Sequence, residues 1–225
     1  CFSQAIRFGK TTVEDAVGVC CKTAREVKAA LSVGEIPVLP DETASCRTWL
    51  HPEVLVDGIL AKRNLGTKIT DAPLVIALGP GFCAGRDCHA VIETMRGHTL
   101  GRVIWDGEPI PNTNIPGLIG GFAGERVLRA PCDGIFTAVH RIGDTVEEGE
   151  TIGFVEGQPM KCTISGVLRG VLDDGVPVKK GMKSGDVDPR CKPEYCTTIS
   201  DKALAVGGGV VEAVLYLNAK QQGRR

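Results

Sequence analysis

The feature that most restricts the fold is an internal repeat between residues 134 and 187. GIFTAVHRIGDTVEEGETIGFV from Gly134 aligns with GVLRGVLDDGVPVKKGMKSGDV from Gly166, an offset of 32 residues. Gly134/Gly166, Val139/Val171, Gly143/Gly175, Val146/Val178, Gly149/Gly181 and Gly153/Gly185 coincide. Glycines at matched turns, with short β-rich runs between them, predict two similar β-units packed together.

The repeat resembles the biotinyl/lipoyl barrel-sandwich, in which two such halves are related by a pseudo-two-fold. A-P-x-D-G at residues 130–134 and G-D-x-V-x-x-G at residues 143–149 carry the resemblance. Carrier domains of that fold hold a modified lysine on a hairpin midway between the halves. Met160-Lys161 matches that setting only in composition. Lys161 lies 27 residues after Gly134 and 5 before Gly166. The hairpin is shortened away, so Lys161 is read as a solvated strand lysine.

Ahead of the repeat, residues 71–93 read DAPLVIALGPGFCAGRDCHAVIE. Residues 73–78 are a short apolar run of the kind that makes a buried strand. A chain leaving it through Gly79, Pro80 and Gly81 turns sharply and presents bare backbone N–H groups. Arg86, Asp87, Cys88 and His89 follow. The spacing Gly79-x-Gly81-x-x-x-Gly85 is one residue longer than the dinucleotide fingerprint. Residues 89–94 also read as a strand rather than the helix that fingerprint opens. The loop is either a plain turn between strands or a contact for an anion or cofactor.

Upstream, residues 17–21 and 36–39 read as strands around a helix over 24–31. Thr23 caps that helix, and Val27, Ala30 and Leu31 share one face. This is a β-α-β unit with a parallel pair. Residues 54–60 form a further apolar run, interrupted by Asp57, which marks either a solvated strand end or a site. Strands over 89–94 and 102–105 flank MRGHTLG, which carries Arg96 and His98. PIPNTNIPGLIGGF, with Asn112, reads as a long ordered loop or domain connection. Ser200 caps a C-terminal helix running to about residue 220. Gly207, Gly208 and Gly209 inside it cost about 2–3 kcal/mol of helix propensity, which close packing or a kink must explain.

The whole is read as three segments: an α/β domain over 1–127, containing a partial Rossmann-like layer with a mixed β extension; the barrel-sandwich over 128–189; and a C-terminal segment with its helix over 190–225. At 225 residues, with 43% hydrophobic and 24% charged, the chain can bury a normal core. A net charge of −1 gives no field for a polyanion, so nucleic acid is not expected as a partner. No apolar run approaches the roughly 20 residues of a membrane span. Ten cysteines are irregularly spaced and match neither a disulfide framework nor a zinc pattern. They are read as mostly small buried residues with reduced thiols, in a cytoplasmic protein without a metal site. The numbered chain opens at Cys1 rather than methionine and is read as a fragment, which leaves targeting open. Oligomeric state is also left open.

LAKRNLGTKITDAPLVIALGPGFCAGRDCHAVIETMRGHTLGRVIWDG, PNTNIPG, VLRAPCDGIF, SGVLRG and EYCTTISDKALAVGGGVVEA together resemble the selenium-dependent molybdenum hydroxylase accessory family (YqeB type). The match runs over residues 3–217. The resemblance implies an accessory role in maturing molybdenum hydroxylases, with the apo-hydroxylase as partner and the molybdenum cofactor or a nucleotide as ligand. Members of that family begin earlier, with a Rossmann-type glycine turn that this chain lacks. Gly79, Gly81, Gly85, Asp87, Cys88, His89, Glu93, Arg96, His98, Asn112 and Cys196 lie inside the matching blocks.

Cys88 and His89 are read either as nucleophile and base, as soft ligands, or as core residues. On a regular strand Asp87 and His89 share one face and Cys88 takes the other. Asp87, Cys88 and His89 are the catalytic candidates. Arg96 and His98 are read either as anion ligands or as a solvated link. With Gly79, Gly81, Gly85 and Asn112 they form the expected cofactor site. Three function classes follow: the accessory factor, a nucleotide- or cofactor-modifying enzyme, and a carrier or interaction module.

Overall fold

The computed structural model describes residues 1–221 and Gly223. The chain divides into two compact units, residues 114–198 and the remainder on either side.

The first unit opens with a short helix α1 (Ala5–Phe8) and a hairpin of β1 (Lys10–Val13) and β2 (Ala16–Cys20). Helix α2 (Ala24–Ser32) then returns the chain to β3 (Ile36–Val38), parallel to β2. Thr23 starts α2 through a reciprocal cap. Its hydroxyl accepts from the Glu26 amide, and the Glu26 carboxylate accepts from the Thr23 amide. Val27 and Ala30 are buried against Cys21 and Leu39. Leu31, expected on the same face, is 55% exposed, because this small core ends at Ala30.

After α3 (Arg47–Leu50) comes a second sheet, in the order β4 (Val54–Asp57), β5 (Leu74–Leu78), β6 (Ala90–Ile92), β7 (Val103–Ile104). The first three strands are parallel and the last antiparallel. β5 reads as one apolar run because both its faces are covered. Val75 and Ala77 meet Phe82, Cys88 and Val91 on one side. Ile76 meets Ala90, Ile92, Val206 and Ala213 on the other. The last two come from α4 (Asp201–Gln221), whose Val206, Val210, Ala213 and Val214 recur at helical spacing. Ser200 caps it, accepting from the Ala203 amide. The C-terminal helix thus completes the first unit rather than forming a segment of its own.

The three glycines of α4 have different surroundings. A Cβ on Gly209 would lie 2.2 Å from the Gly101 carbonyl oxygen, whereas Gly207 and Gly208 face open space. The glycines and Glu212 break up the apolar run, yet the region Pro193–Lys220 reaches a mean hydropathy of 1.2 over an 18-residue window. By length and composition alone, that is enough to cross a bilayer.

The second unit is built from eight strands: β8 (Val127–Arg129), β9 (Gly134–Ala138), β10 (Thr145–Val146), β11 (Thr151–Val155), β12 (Gln158–Lys161), β13 (Gly166–Val171), β14 (Pro177–Val178) and β15 (Lys183–Asp188). They form two antiparallel sheets, ordered β10-β13-β15-β8 and β12-β11-β9-β14. The sequence repeat is a repeat of strands, with β9, β10 and β11 followed 32 residues later by β13, β14 and β15. Each half lends its short strand to the other: β10 pairs with β13, and β14 with β9. One core joins both sheets, with Phe136, Val146, Ile152, Val155, Leu168 and Val187 all at 0% exposure. Residues 114–126 belong to this unit because Arg126 reaches both Asp186 and the Gly117 carbonyl. The expected boundary at 127/128 therefore falls at 113/114.

Candidate functional site

The glycine turn after β5 is tied down more thoroughly than its sequence implies. Gly79 donates to the Ile92 carbonyl, Ala84 to Gly107, Gly85 to Cys88, and both Arg86 and Asp87 to Cys83. The Cys83 amide donates to the Asp87 carboxylate at 2.8 Å. The expectation of a loop lined with bare donors is thereby corrected: the segment folds on itself and pairs with Gly107. Two amides remain. Gly81 and Phe82 donate to no partner among the described residues, although Phe82 is only 3% exposed. A buried residue with an unused amide is rare enough to need an explanation.

Gly79 and Gly81 are glycines for two reasons. Both have positive φ, 76° and 106°. Both are also crowded. A Cβ on Gly79 would sit 2.5 Å from the Thr94 hydroxyl oxygen, and one on Gly81 would sit 2.5 Å from Arg63 Cα. The turn is therefore seated between the end of β6 and the loop that follows β4.

That second loop is shaped by Asp57 and Asn64. Asp57 lies at the end of β4 but is not solvated. It is 7% exposed and accepts from the Thr67 hydroxyl at 2.6 Å and the Ile59 amide at 3.1 Å. Asn64 accepts from the amides of Gly66 and Thr67. The loop is compact enough to hold Leu60 and Lys62 at φ of 59° and 63°, a left-handed conformation unusual for such side chains. It presents Lys62 beside the Arg63 backbone that covers Gly81.

On the other side stands the link after β6. Glu93 is 2% exposed and anchors it, accepting from the Met95 amide at 2.7 Å and the Ile110 amide at 2.9 Å. Arg96 grips Asp201, the first residue of α4, through two hydrogen bonds of 2.6 and 2.9 Å. This fixes the start of α4 and brings in Lys202, which is half-buried. Burial, then the nearby charges of Lys62 and Arg96, push Lys202 below the ordinary lysine range, while Glu93 pulls it upward. Neither Lys62 nor Lys202 has a hydrogen-bonded or ion-paired partner among the described residues.

Three segments distant in sequence thus meet beside the turn, with the Arg63 backbone against Gly81 and Arg96 on Asp201, and Lys62 and Arg96 are close enough to act electrostatically on Lys202. Of the expected ligands, Gly79, Gly81 and Arg96 belong to this place, though Gly79 and Arg96 act as its frame. Gly85 is spent on the turn's own closure. His98 is exposed and has no hydrogen-bonded partner among the described residues, and Asn112 is exposed on the segment beyond Ile110. Lys62 and Lys202 escape sequence reasoning, because nothing local marks two lysines 140 positions apart as neighbours.

The catalytic candidates are used by the fold. Asp87 closes the turn, and its carboxyl is held below the usual range, first by the Arg86 guanidinium. Cys88 is 0% exposed, and burial pushes its thiol up to about 12. His89 Nδ1 accepts from the Val75 amide at 2.9 Å, so that nitrogen is occupied. Asp87, Cys88 and His89 do not converge on a common pocket; they close the turn and join β5 to β6. Among the described residues no group of three or more His, Cys, Asp or Glu is placed to hold a metal ion.

Fold and site together define a two-unit protein, an α/β unit and an all-β unit, with a local cationic turn in the first. No family model matches the chain. It is 46% identical over 216 residues to "Uncharacterized protein YqeB" of Escherichia coli strain K12, across 96% of this chain and 40% of that protein. The chain spans less than half the length of that protein. Two solved structures are similar over 28% of the chain and 22% of their own: an aspartoacylase family protein of Mesorhizobium loti, 17% identical, and a succinylglutamate desuccinylase/aspartoacylase of Rhodobacter sphaeroides, 24% identical. With TM-scores of 0.26, neither informs fold or function here.

Proposed function

We propose that this chain belongs to an accessory factor in the maturation of selenium-dependent molybdenum hydroxylases, and that its first unit binds an anionic cofactor or nucleotide for that task. The observation that carries the binding half is the gathering of Lys62, Arg96 and Lys202 at a turn with two unused amides. Like charges held together with partial burial are unfavourable unless an anion joins them. A molybdopterin-type cofactor carries a phosphate, and these donors suit its phosphate end. The described residues offer no ligand set for its metal, so any metal chemistry would come with the cofactor and its enzyme.

The fold assignments belong to the same proposal. The parallel β2–β3 pair around α2 and the parallel β4–β5–β6 sheet support a partial Rossmann-like layer. The exchanged short strands and shared core of the second unit support a barrel-sandwich of the biotinyl/lipoyl type. The ten cysteines, all unpaired, fit a reducing, cytoplasmic setting. The test is co-purification of the intact protein with a molybdenum hydroxylase apo-enzyme, with molybdenum and selenium measured on the same sample. Association together with lowered metal or selenium in the hydroxylase of a deletion strain is the expected result. A fully loaded, active hydroxylase in that strain would overturn the accessory role.

A further inference from the structure

We infer that the turn seats the terminal phosphate of a phosphorylated small molecule, on the Gly81 and Phe82 amides and between the ammonium groups of Lys62 and Lys202. This rests on the anion-binding reading above and gives it a ligand class.

The donor set decides between anions. Adjacent free amides at a glycine turn make a concave seat for anion oxygens. Lysine ammonium groups act as point charges on phosphate, whereas arginine's planar fork matches a carboxylate edge to edge. The fork of Arg96 is already engaged with both oxygens of Asp201, and that of the exposed Arg63, whose backbone covers Gly81, pairs with phosphate as readily as with carboxylate. Two adjacent amides with lysine ammonium groups nearby suit the several oxygens of a tetrahedral dianion better than a planar monoanion.

Charge balance points the same way. The groups facing Lys202 are Lys62 from the loop after β4, and Arg96 and Glu93 from the link after β6. Asp201 on its own helix is turned to Arg96. Glu93 has each carboxylate oxygen on a backbone amide and makes no ion pair with Lys202. An arriving dianion would supply counter-charge and favour protonated Lys202. Affinity should therefore fall as pH rises through the depressed Lys202 pKa. The loop that presents Lys62 is held in shape by Asp57 and Asn64 before any ligand arrives, which limits the ordering cost of binding.

The test is calorimetric titration of the purified protein with inorganic phosphate, sulfate, acetate, adenosine monophosphate and adenosine at fixed ionic strength. Phosphate, sulfate and adenosine monophosphate should bind, and acetate and adenosine should not. Lys62→Ala and Lys202→Met should each weaken phosphate roughly tenfold to a hundredfold. Sulfate stays dianionic across the range, so its weakening at high pH reports the protein, and that slope should vanish in Lys202→Met. Lys62 is exposed, so Lys62→Ala remains informative should Lys202→Met fail to fold. Acetate binding as tightly as phosphate, or phosphate binding untouched by Lys62→Ala, would overturn the inference. Hydroxylase association without phosphate binding sinks this inference alone. Phosphate binding as described, with a normally matured hydroxylase in the deletion strain, sinks the accessory role and leaves the phosphate site standing.

Discussion

At the scale of single residues, burial decides which reactive groups are available. Cys88 lies in the core between the turn and β5, with its thiol up to about 12. Iodoacetamide at pH 8 should therefore alkylate exposed Cys191 and leave Cys88 untouched in the folded protein, as read by peptide mass. Labelling of Cys88 at the rate of Cys191 would refute this. Asp57 has the opposite history. It interrupts an apolar run in sequence, which suggested a strand end. The structure does place it at the end of β4, yet buries it as the knot of the next loop. Asp57→Ala should cost about 1–3 kcal/mol in denaturant unfolding, because the Thr67 hydroxyl and the Ile59 amide lose their acceptor. Gly79 and Gly81 were legible as a turn because φ is a local property. Lys62 and Lys202 were not, because their meaning depends on Arg96 binding Asp201 across 105 positions.

At the scale of elements, α4 separates what a pattern reveals from what packing adds. Its cap at Ser200 and its apolar spacing are local, so its start and length could be read directly. Which of its three glycines is needed could not, since that depends on where Gly101 lies. Gly209→Ala would drive a methyl group into the Gly101 carbonyl and should destabilise by about 1–3 kcal/mol. Gly207→Ala and Gly208→Ala meet nothing and should each stabilise by about 0.5–1 kcal/mol through helix propensity alone. Denaturation midpoints at unchanged slope would check the contrast. Equal effects at all three positions would mean that α4 does not press on Gly101. The turn after β5 behaves in a related way. Its glycines promised free donors, but the turn's own closure and Gly107 consume most of them, and only the tertiary hydrogen bonds decide which are left.

At the scale of the whole molecule, the 32-residue repeat announced two similar β-units but not how they combine. Similarity says that β10 and β14 are equivalent. It does not say that each pairs with the other half's first strand, which is a matter of tertiary contacts. That exchange means neither half can be complete without the other, so the unit should gain and lose its structure in one step. Lys161 fits the same picture. It sits in register on β12 opposite Thr151, while the β11–β12 turn is made by Glu156 and Gly157. No hairpin tip presents it to a modifying enzyme, and intact mass should show no biotinyl or lipoyl adduct. The sharpest check on the shared core is Phe136. Its side chain is fully buried in β9, and its ring lies 2.6 Å from where a Cβ on Gly153 of β11 would stand, so the bare glycine backbone makes room for it. Phe136→Ala should cost about 3–5 kcal/mol, which is a large part of the stability of a domain this size. Residues 114–198 produced alone should melt in one cooperative transition, and Phe136→Ala should lower that transition as a whole. If one half kept its amide protection while the other lost it, the two halves would be independent folding units, and the strand exchange would not be what holds this unit together.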